Sequence, residues 1–332
     1  MTSMYRYQLP VNETGWQVDS QNEVQFTWEY EDGNDDLLKL YDKGKQQQWD
    51  AKERIDWGLD LDPENPMEMP DEMVRIYGSP IWNKMNEAER ANLRRHAQAW
   101  QISQFLHGEQ GALMVAARIV ETVPEINAKY YAATQVMDEA RHVEAYSKLL
   151  HDKFELAYPI TPPLAALLED VLHDKRWDFN YLGMQVLIEG LALAAFHGIR
   201  DMSKNPLSAS INAYVMQDEA RHVAYGVMHM RYMAETAPER HEEINCYFDE
   251  AEAGILSGSA NPAGQAPILS EPLAILLGGG IAKFDEGFKK LVALRRRQIQ
   301  EYKKRVVSAG FGARFENGRS RINEILEQAA AA

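Results

Sequence analysis

The chain has 332 residues, 45% of them hydrophobic, which is enough for one large domain or two ordinary ones with a sizeable core. Its formal net charge of -15 argues against nucleic acid or an anionic membrane surface as a partner. The single cysteine, Cys246, excludes an internal disulfide and a thiolate metal cluster, so a metal ion would need carboxylate and imidazole ligands.

Residues 1–65 are polar and aromatic, with the interruptions DGNDD, QQQ and DPENP, which predicts an extended N-terminal arm with a short helix around Asp35–Gln48. The first residues, MTSMYRYQLPVNETG, lack a charged start followed by an apolar run, so no secretory signal is expected. These features favour a cytoplasmic protein.

From about residue 86 onward, apolar residues recur at three- and four-residue spacing, which is typical of helices. Pro124 and Pro206 fit the first turns of two of them. Further helices are predicted over 238–257 and 271–307, separated by the loop GSANPAGQAP, and a short helix is predicted in the C-terminal tail. We therefore expect an all-α fold with one helical domain over residues 66–310 and a tail over 311–332.

Two apolar stretches suggest other functions only at first sight. The longest apolar run, VLIEGLALAAF, contains Glu189 and is too short to cross a bilayer, so no membrane span is expected. The stretch LLGGGIAKF lacks the lysine and serine or threonine that end a phosphate-binding loop, and a helix interruption is the better interpretation.

The pentapeptide Asp-Glu-Ala-Arg-His occurs twice, at residues 138–142 and 218–222, with an offset of 80 residues. Glu109 precedes Glu139 by 30 residues, and Glu189 precedes Glu219 by the same number. One such helical stretch would usually be a solvated, ion-paired face. The shared offset of all members favours a repeated site instead.

Helix geometry explains the spacing. A helix from Glu109 reaches the turn at Pro124 after about 15 residues, at 1.5 Å per residue. A second helix of about the same length then returns and brings Glu139 level with Glu109. The second half repeats this around Pro206. Glu and His at i and i+3 share one face, so two such hairpins packed together form a four-helix bundle with inward carboxylates and imidazoles.

These side chains match the ligand set of proteins that hold two iron or manganese ions in a helical bundle. The predicted ligands are Glu109, Glu139, His142, Glu189, Glu219 and His222, with Glu139 and Glu219 as bridges. The neighbours of Glu189 are apolar almost all round, so metal coordination or a buried ion pair must stabilise this carboxylate. Carboxylate-rich sites with imidazole suit iron or manganese.

The remaining residues of the pentapeptide are predicted to orient the ligands. A metal-bound histidine usually donates its other ring N–H to a carboxylate. We assign Asp218 to His142 and Asp138 to His222, crosswise between the halves. Arg141 and Arg221 are expected to pair with these aspartates, with exposed surface charges as the alternative.

At these residues the sequence resembles the ferritin-like superfamily, in the branch related to the ribonucleotide reductase small subunit, which includes monooxygenase hydroxylase subunits and acyl-carrier-protein desaturases. The resemblance covers roughly residues 35–235. It implies a ferritin-like four-helix core with additional helices, two iron ions or one manganese and one iron ion, and dioxygen as co-substrate. A homodimer is the usual form of the family.

Two further residues resemble features of the reductase small subunit. QQWDAKERIDW resembles its N-terminal tryptophan segment, which makes Trp49 a candidate neighbour of the site on an electron path. Tyr146 falls where that family keeps its radical tyrosine. Ordinary core packing is the alternative for both residues.

Other residues depart from the oxygenase patterns. Ala192 and Leu193 stand where many of these enzymes hold a threonine one turn past the third glutamate. Val215 stands where di-iron N-oxygenases have an extra histidine ligand. His197, two turns beyond Glu189, is expected to be a core histidine rather than a ligand.

The favoured function is an oxidoreductase that activates dioxygen and hydroxylates, desaturates or otherwise oxidises a small or carrier-bound organic substrate. Electrons would come from a ferredoxin or a flavin reductase. The alternatives are a radical-generating subunit and, less well supported, an iron store. An apolar substrate pocket is expected to be lined by Phe105, Leu106, Ala112, Leu113, Ala192, Leu193 and Phe196.

Overall fold

The structure, a computed structural model, describes residues 24–27, 35–257, 296 and 299–330. Over these residues it is helical and contains no strand, so the predicted all-α class is confirmed. Most of the predicted N-terminal arm before the first helix, the loop 258–267 and most of the predicted helix 271–307 lie outside the described residues. The main helices are α1 Asp35–Gln46, α2 Ala51–Arg54, α3 Glu87–Thr122, α4 Ile126–Lys148, α5 Pro162–His173, α6 Trp177–Tyr181, α7 Glu189–Met202, α8 Pro206–Thr236 and α9 His241–Ser257.

The chain divides into two compact units. The first contains residues 1–68 and 95–226, and the second contains residues 69–94 and 227–332. All residues of the two pentapeptides and their upstream glutamates fall in the first unit. The predicted limits of the arm, helical domain and tail stay a prediction.

Four helices of the first unit supply its core. Phe105 of α3 and Tyr146 of α4 lie with their ring centroids 6.0 Å apart, and Glu109 meets His142 farther along the same two helices, so α3 and α4 are antiparallel. On α8, Asn212 meets Tyr146 and Tyr225 meets Tyr131, so α4 and α8 are antiparallel too. The predicted hairpin arrangement therefore corresponds to the observed chain directions.

The helix α1 packs closely against α4. Gly44 makes this possible, because a Cβ atom at that position would lie 3.1 Å from the Thr134 hydroxyl oxygen. Tyr41 stacks on Tyr130 with a centroid distance of 5.5 Å. This contact brings the residues that follow α1 to the polar side of the core.

The stretch Trp177–Met202 is one continuous helical path, in which residues Leu182–Ile188 form wide π turns between α6 and α7. By length and composition it is apolar enough to cross a membrane, with a mean hydropathy of 1.5 over its best window. However, 65% of that window is buried inside the protein, and Glu189 lies within the stretch. A mostly buried core helix passes the same test of length and composition, so these properties alone do not indicate a membrane span.

The second unit is held by buried guanidinium groups. Arg94 donates to both oxygens of Asp71, at 2.6 and 3.0 Å, and to Glu87 at 2.7 Å. Arg314 donates to Glu252 at 2.9 Å and to Asp249 at 2.6 Å. Charge-assisted bonds of this kind are stronger than neutral ones and fix the segments that carry them.

His229, in the second unit, is expected to make the protein less stable as the pH falls. Its side chain is buried, and burial lowers its pKa to about 4. Between roughly pH 6.5 and 4 the unfolded chain therefore binds more protons than the folded chain, so the free energy of unfolding decreases as the pH falls. This group alone is expected to contribute a decrease of roughly 3 kcal/mol.

Urea unfolding of the wild type and of His229→Leu over this pH range measures the effect. The variant is expected to lose less stability on acidification, although it starts from a different stability at neutral pH. Parallel curves for the two proteins would contradict the inference.

Candidate metal centre

The glutamates and histidines of the repeat converge on one buried cluster between α3, α4, α7 and α8. His142 Nδ1 lies 3.0 Å from Glu109 Oε2, 3.2 Å from Glu139 Oε2 and 3.2 Å from Glu219 Oε1. These residues are all buried, and their potential ligand atoms all lie within 4.8 Å of one another. One group of four is therefore able to hold a metal ion.

A second group adjoins the first and shares a residue with it. His222 Nδ1 lies 3.1 Å from Glu139 Oε1, and Glu189 completes a second buried set whose ligand atoms lie within 4.8 Å. Glu219 Oε1 is also only 3.5 Å from His222 Nδ1. Glu139 and Glu219 thus lie between the two imidazoles, where bridging carboxylates would have to be.

The donor set fits metal ions better than it fits hydrogen bonds. Within the part of the chain that the structure describes, both oxygens of Glu219, Glu189 Oε2 and His222 Nδ1 are buried without a hydrogen-bond partner. Buried polar atoms are normally satisfied, and an unsatisfied carboxylate oxygen is costly. Four carboxylates with neutral imidazoles carry the charge that two divalent cations would balance.

The titration behaviour of the cluster has the same origin. Burial first, and then repulsion by Glu219, hold the pKa of Glu109 and of Glu189 well above its ordinary value. Burial opposes charge on His142 too, but the carboxylates around it, Glu109 first, raise the pKa of this imidazole. Without cations, such a cluster must hold protons to limit its own repulsion.

A layer of buried ion pairs lies on the other side of both imidazoles. His142 Nε2 is 3.1 Å from Asp218 Oδ2, and His222 Nε2 is 3.2 Å from Asp138 Oδ2, so each imidazole meets the aspartate of the other pentapeptide. If each Nε2–H donates to its aspartate, each Nδ1 lone pair faces the glutamates. A lone pair facing carboxylates is repelled by them unless a proton or a metal ion lies between, and a metal ion satisfies several of these atoms at once.

Arg141 and Arg221 complete this layer and are not exposed charges. Each guanidinium bonds both aspartates: Arg141 donates to Asp218 at 3.1 Å and Arg221 to Asp138 at 3.1 Å, and each also has a short bond to the aspartate of its own pentapeptide. The two halves are thereby tied together.

Trp49 also joins this layer. Its indole Nε1–H donates to Asp218 Oδ2 at 2.7 Å, its ring stacks on Tyr214 at a centroid distance of 5.0 Å, and its ring centroid lies 6.4 Å from that of His142. A hydrogen-bonded series therefore runs from Trp49 through Asp218 to His142.

Two glutamines before Trp49 were not recognised in the sequence, where QQQ was interpreted only as an interruption. Gln47 accepts a hydrogen bond from Arg221 at 2.8 Å. Gln48 donates to Asp138 at 2.9 Å and accepts from Arg141. Their position beside Trp49 was the available signal, but their partners lie 90 residues or more away in the chain.

At one end of the cluster, aromatic side chains pack together. Phe105 lies 4.7 Å from Phe196 and 6.0 Å from Tyr146, measured between ring centroids. The Tyr146 hydroxyl donates to Asn212 at 3.0 Å. Burial, and then Glu109, raise the pKa of Tyr146, which is therefore a neutral phenol.

The other predicted pocket residues lie on the same helices with different degrees of burial. Leu106 and Ala112 are buried on α3, whereas Leu113 on α3 and Ala192 and Leu193 on α7 are half-buried. His197 bonds the Leu193 carbonyl at 2.7 Å, as a helix histidine without a ligand role would. The lining of a substrate pocket by these residues stays a prediction.

Gly226 allows α8 to approach the wide turns before Glu189. A Cβ atom there would lie 2.5 Å from Cβ of Gln185 and 3.3 Å from a methyl group of Val186. Gly226→Ala is therefore expected to destabilise the protein by about 1–3 kcal/mol through overpacking. Urea unfolding measures the change.

Gly108→Ala is the matched control, because a Cβ atom at this position in α3 meets nothing within 4 Å. Alanine is the better helix former, so this variant is expected to gain about 0.5–1 kcal/mol. Equal effects of the two substitutions would show that the close approach at Gly226 is not a stability determinant.

Comparison with known proteins agrees with this site. The model of the family described as p-aminobenzoate N-oxygenase AurF matches residues 31–248. None of the curated proteins matches the chain significantly.

Solved structures of R2-like ligand-binding oxidases share the fold. A tyrosine-to-phenylalanine mutant with an aerobically reconstituted Mn/Fe cofactor is 15% identical, with a TM-score of 0.53 over 84% of this chain and 94% of that chain. A valine-to-alanine mutant with an anaerobically reconstituted Mn/Fe cofactor is 16% identical, with the same TM-score and coverage. A glycine-to-phenylalanine mutant, also anaerobically reconstituted, is 15% identical, with a TM-score of 0.52 over 85% and 95% of the two chains.

Fold and cluster together define the class as ferritin-like oxidoreductases that activate dioxygen at a dinuclear metal centre, which confirms the predicted fold and enzyme class. Because the family model matches more than half of the sequence, this chain belongs to the AurF family.

Proposed function

We propose that the protein holds two iron ions, or one manganese and one iron ion, among Glu109, Glu139, His142, Glu189, Glu219 and His222, and that it oxygenates a small or carrier-bound organic substrate. The description of the family favours oxygenation at the nitrogen of an amine, with hydroxylation or desaturation as alternative outcomes. The observation that carries the proposal is the pair of buried ligand groups that share Glu139.

The metal pair, when bound, supplies two-electron reduction of dioxygen. In an oxygenation, one oxygen atom enters the substrate and the other leaves as water, which requires two electrons and two protons from outside. The protein's residues would keep the glutamates oriented, keep both imidazoles in the Nε2–H form through Asp138 and Asp218, and exclude water from the cluster.

The electrons would come from a separate donor, for which a ferredoxin or a flavin reductase has the required chemistry. Trp49 supports a path for them, because its indole bonds the aspartate that bonds His142. Trp49→Phe is suited to test this path, since it keeps an aromatic ring and removes only the indole donor. We also propose a cytoplasmic location and a homodimer.

The aromatic end of the cluster favours substrate entry beside Phe105 and Phe196, with the rest of the predicted pocket along α3 and α7. Val215 is buried and offers no ligand, so the proposed site has six protein ligands. Because N-oxygenases are expected to have a further histidine at this position, the substrate of this family member need not be that of its relatives.

Metal analysis and turnover test the proposal. Two metal ions per chain after anaerobic loading, followed by oxygen consumption and substrate oxidation with a chemical reductant or a reductase, are expected. Accumulation of many iron atoms per chain would identify an iron store instead. A crystal structure with bound ligand would then reveal the substrate class through the length and polarity of the pocket.

Tyr146 supports the second candidate, a radical-generating protein. Its phenol is buried beside Phe105 and Phe196 and hydrogen-bonded to Asn212. Electron paramagnetic resonance after addition of iron and air distinguishes the two functions. A stable tyrosyl signal that disappears in Tyr146→Phe would favour radical generation, and its absence during substrate oxidation would favour the oxygenase.

A further inference from the structure

Gln135 and Gln185 are two fully buried amides beside the carboxylate cluster. Gln135 lies on α4, one turn before Glu139, and Gln185 lies in the wide turns, one turn before Glu189. Neither is a predicted metal ligand, and a buried amide requires hydrogen-bond partners.

The amide nitrogen of Gln135 contacts two of the glutamates. Gln135 Nε2 donates to Glu189 Oε1 at 2.8 Å and to Glu139 Oε1 at 3.1 Å. Ionised carboxylates only accept hydrogen bonds, so the nitrogen end of the amide must face them. Both N–H bonds of this amide are therefore used on carboxylate oxygens.

Gln185 holds the other end of the Gln135 amide. Its Nε2 donates to Gln135 Oε1 at 3.3 Å. Gly226 permits this placement, because any Cβ atom there would collide with Gln185. The amide of Gln135 is thus fixed on both sides, and it cannot turn away from the glutamates without losing three hydrogen bonds.

The bonds of Gln135 fall on one of the two ligand groups. Glu139 Oε1 is the oxygen that lies 3.1 Å from His222 Nδ1, and Glu189 belongs to the same group as His222. Glu189 Oε1 accepts a hydrogen bond from Gln135, whereas Glu189 Oε2 is buried and has no hydrogen-bond partner among the residues that the structure describes. Only one oxygen of Glu189 is left to bind an ion without competition.

The repeat reveals that the other half lacks this restraint. The residue 80 positions after Gln135 is Val215, whose side chain cannot donate a hydrogen bond. In the repeat Glu219 corresponds to Glu139 and Glu109 to Glu189, so position 215 provides no amide for either of them. Among the described residues, neither oxygen of Glu219 has a hydrogen-bond partner. The ligands of the two halves therefore repeat, but the residues one turn before Glu139 and Glu219 differ.

We propose that Gln135 is a positioning residue that restricts Glu189 to binding through a single oxygen, whereas Glu109, the counterpart of Glu189 in the repeat, has no such amide because Val215 stands at the equivalent position. The two metal positions are then inequivalent although their ligands repeat. This inference rests on the proposed metal pair, and it adds which glutamate is held by a neighbouring amide.

Cobalt(II) substitution tests the assignment without turnover. The visible absorption of high-spin cobalt(II) weakens when its coordination number increases. In Gln135→Leu, the freed Glu189 can bind its cobalt ion through both oxygens, which raises the coordination number of that ion. The visible absorption of that ion is expected to fall, while the absorption of the other ion, about half of the total, stays the same. Gln185→Leu, which removes only the support of Gln135, is expected to give a smaller change in the same direction.

Three comparisons keep the result interpretable. Val215→Ile changes the equivalent position of the repeat without adding or removing a hydrogen bond, and its cobalt spectrum is expected to match that of the wild type. Circular dichroism of the metal-free variants reports whether the bundle still folds, and native mass spectrometry gives the number of bound ions.

The possible outcomes separate the role of Gln135 from the proposed metal pair. Identical spectra for the wild type, Gln135→Leu and Gln185→Leu at two bound ions would overturn the role of Gln135 and leave the proposed function intact. A wild type that binds no pair of ions would overturn both. If Gln135→Leu does not fold, the spectrum of Gln185→Leu alone decides, and an unchanged spectrum there overturns the proposal.

Discussion

Replacing Glu219 by alanine is expected to abolish oxygen consumption and to remove most metal binding. Glu219 is buried between the two imidazoles, 3.2 Å from His142 Nδ1 and 3.5 Å from His222 Nδ1. Its loss would take a shared ligand from both ions at once. Metal content and oxygen uptake after anaerobic loading measure the result.

When no metal is present, the same variant is expected to be more stable than the wild type. Burial raises the pKa of Glu109 and of Glu189 most, and repulsion by Glu219 raises both further, so removal of Glu219 relieves like charges in a buried cluster. We expect the Tm of the metal-free variant to rise. In the wild type, a metal ion that binds only the folded state adds about 2.7 kcal/mol to the free energy of unfolding when its concentration is a hundred times its Kd. The variant should lack this gain.

Glu144→Ala is the control for this prediction. Glu144 is an exposed glutamate on α4, near Lys52 at 3.5 Å, and it does not contact the cluster. It should retain two ions and full oxygen uptake. Retention of two ions by Glu219→Ala would instead refute the proposed ligand set.

Asp218→Ala is expected to cost about 3–5 kcal/mol of unfolding free energy, because it breaks a buried ion-pair network from one side. Asp218 is almost completely buried and accepts hydrogen bonds from Trp49, Arg141 and Arg221, and its Oδ2 lies 3.1 Å from His142 Nε2. Without it, the only carboxylate left to the two buried guanidinium groups in this layer is Asp138, beside the glutamines and the Gln217 carbonyl. Urea unfolding measures this cost.

Metal affinity should fall as well, by roughly 10–100-fold, since His142 loses the group that orients its ring. Asp36→Ala is the comparison on an exposed pair, where Asp36 accepts from Lys39 at 2.9 Å with both side chains largely exposed. That variant should leave both stability and metal affinity almost unchanged. A small effect of Asp218→Ala on both quantities would show that the layer is not essential.

The sequence predicted the helices and the cluster well because both follow from local periodicity and repeated spacing. Glu109, Glu139 and His142 come together because helix rise and hairpin length fix their level, and this can be calculated from residue numbers. The metal-ligating role of these residues stays a prediction until metal is measured.

The unpredicted residues are those whose roles depend on distant partners. Gln135 and Gln185 resemble any glutamine in a helix until their neighbours on other helices are known. Gln47 and Gln48 bond residues that lie 90 or more positions away in the chain. The wide turns Leu182–Ile188 leave no mark in the apolar pattern, because the segment is buried on nearly all sides.

The crosswise bonds between the imidazoles and the aspartates make each half of the site depend on the other half. Neither hairpin can orient its own histidine, since the aspartate that does so belongs to the other hairpin. A single hairpin could complete such a centre only by pairing with a twin.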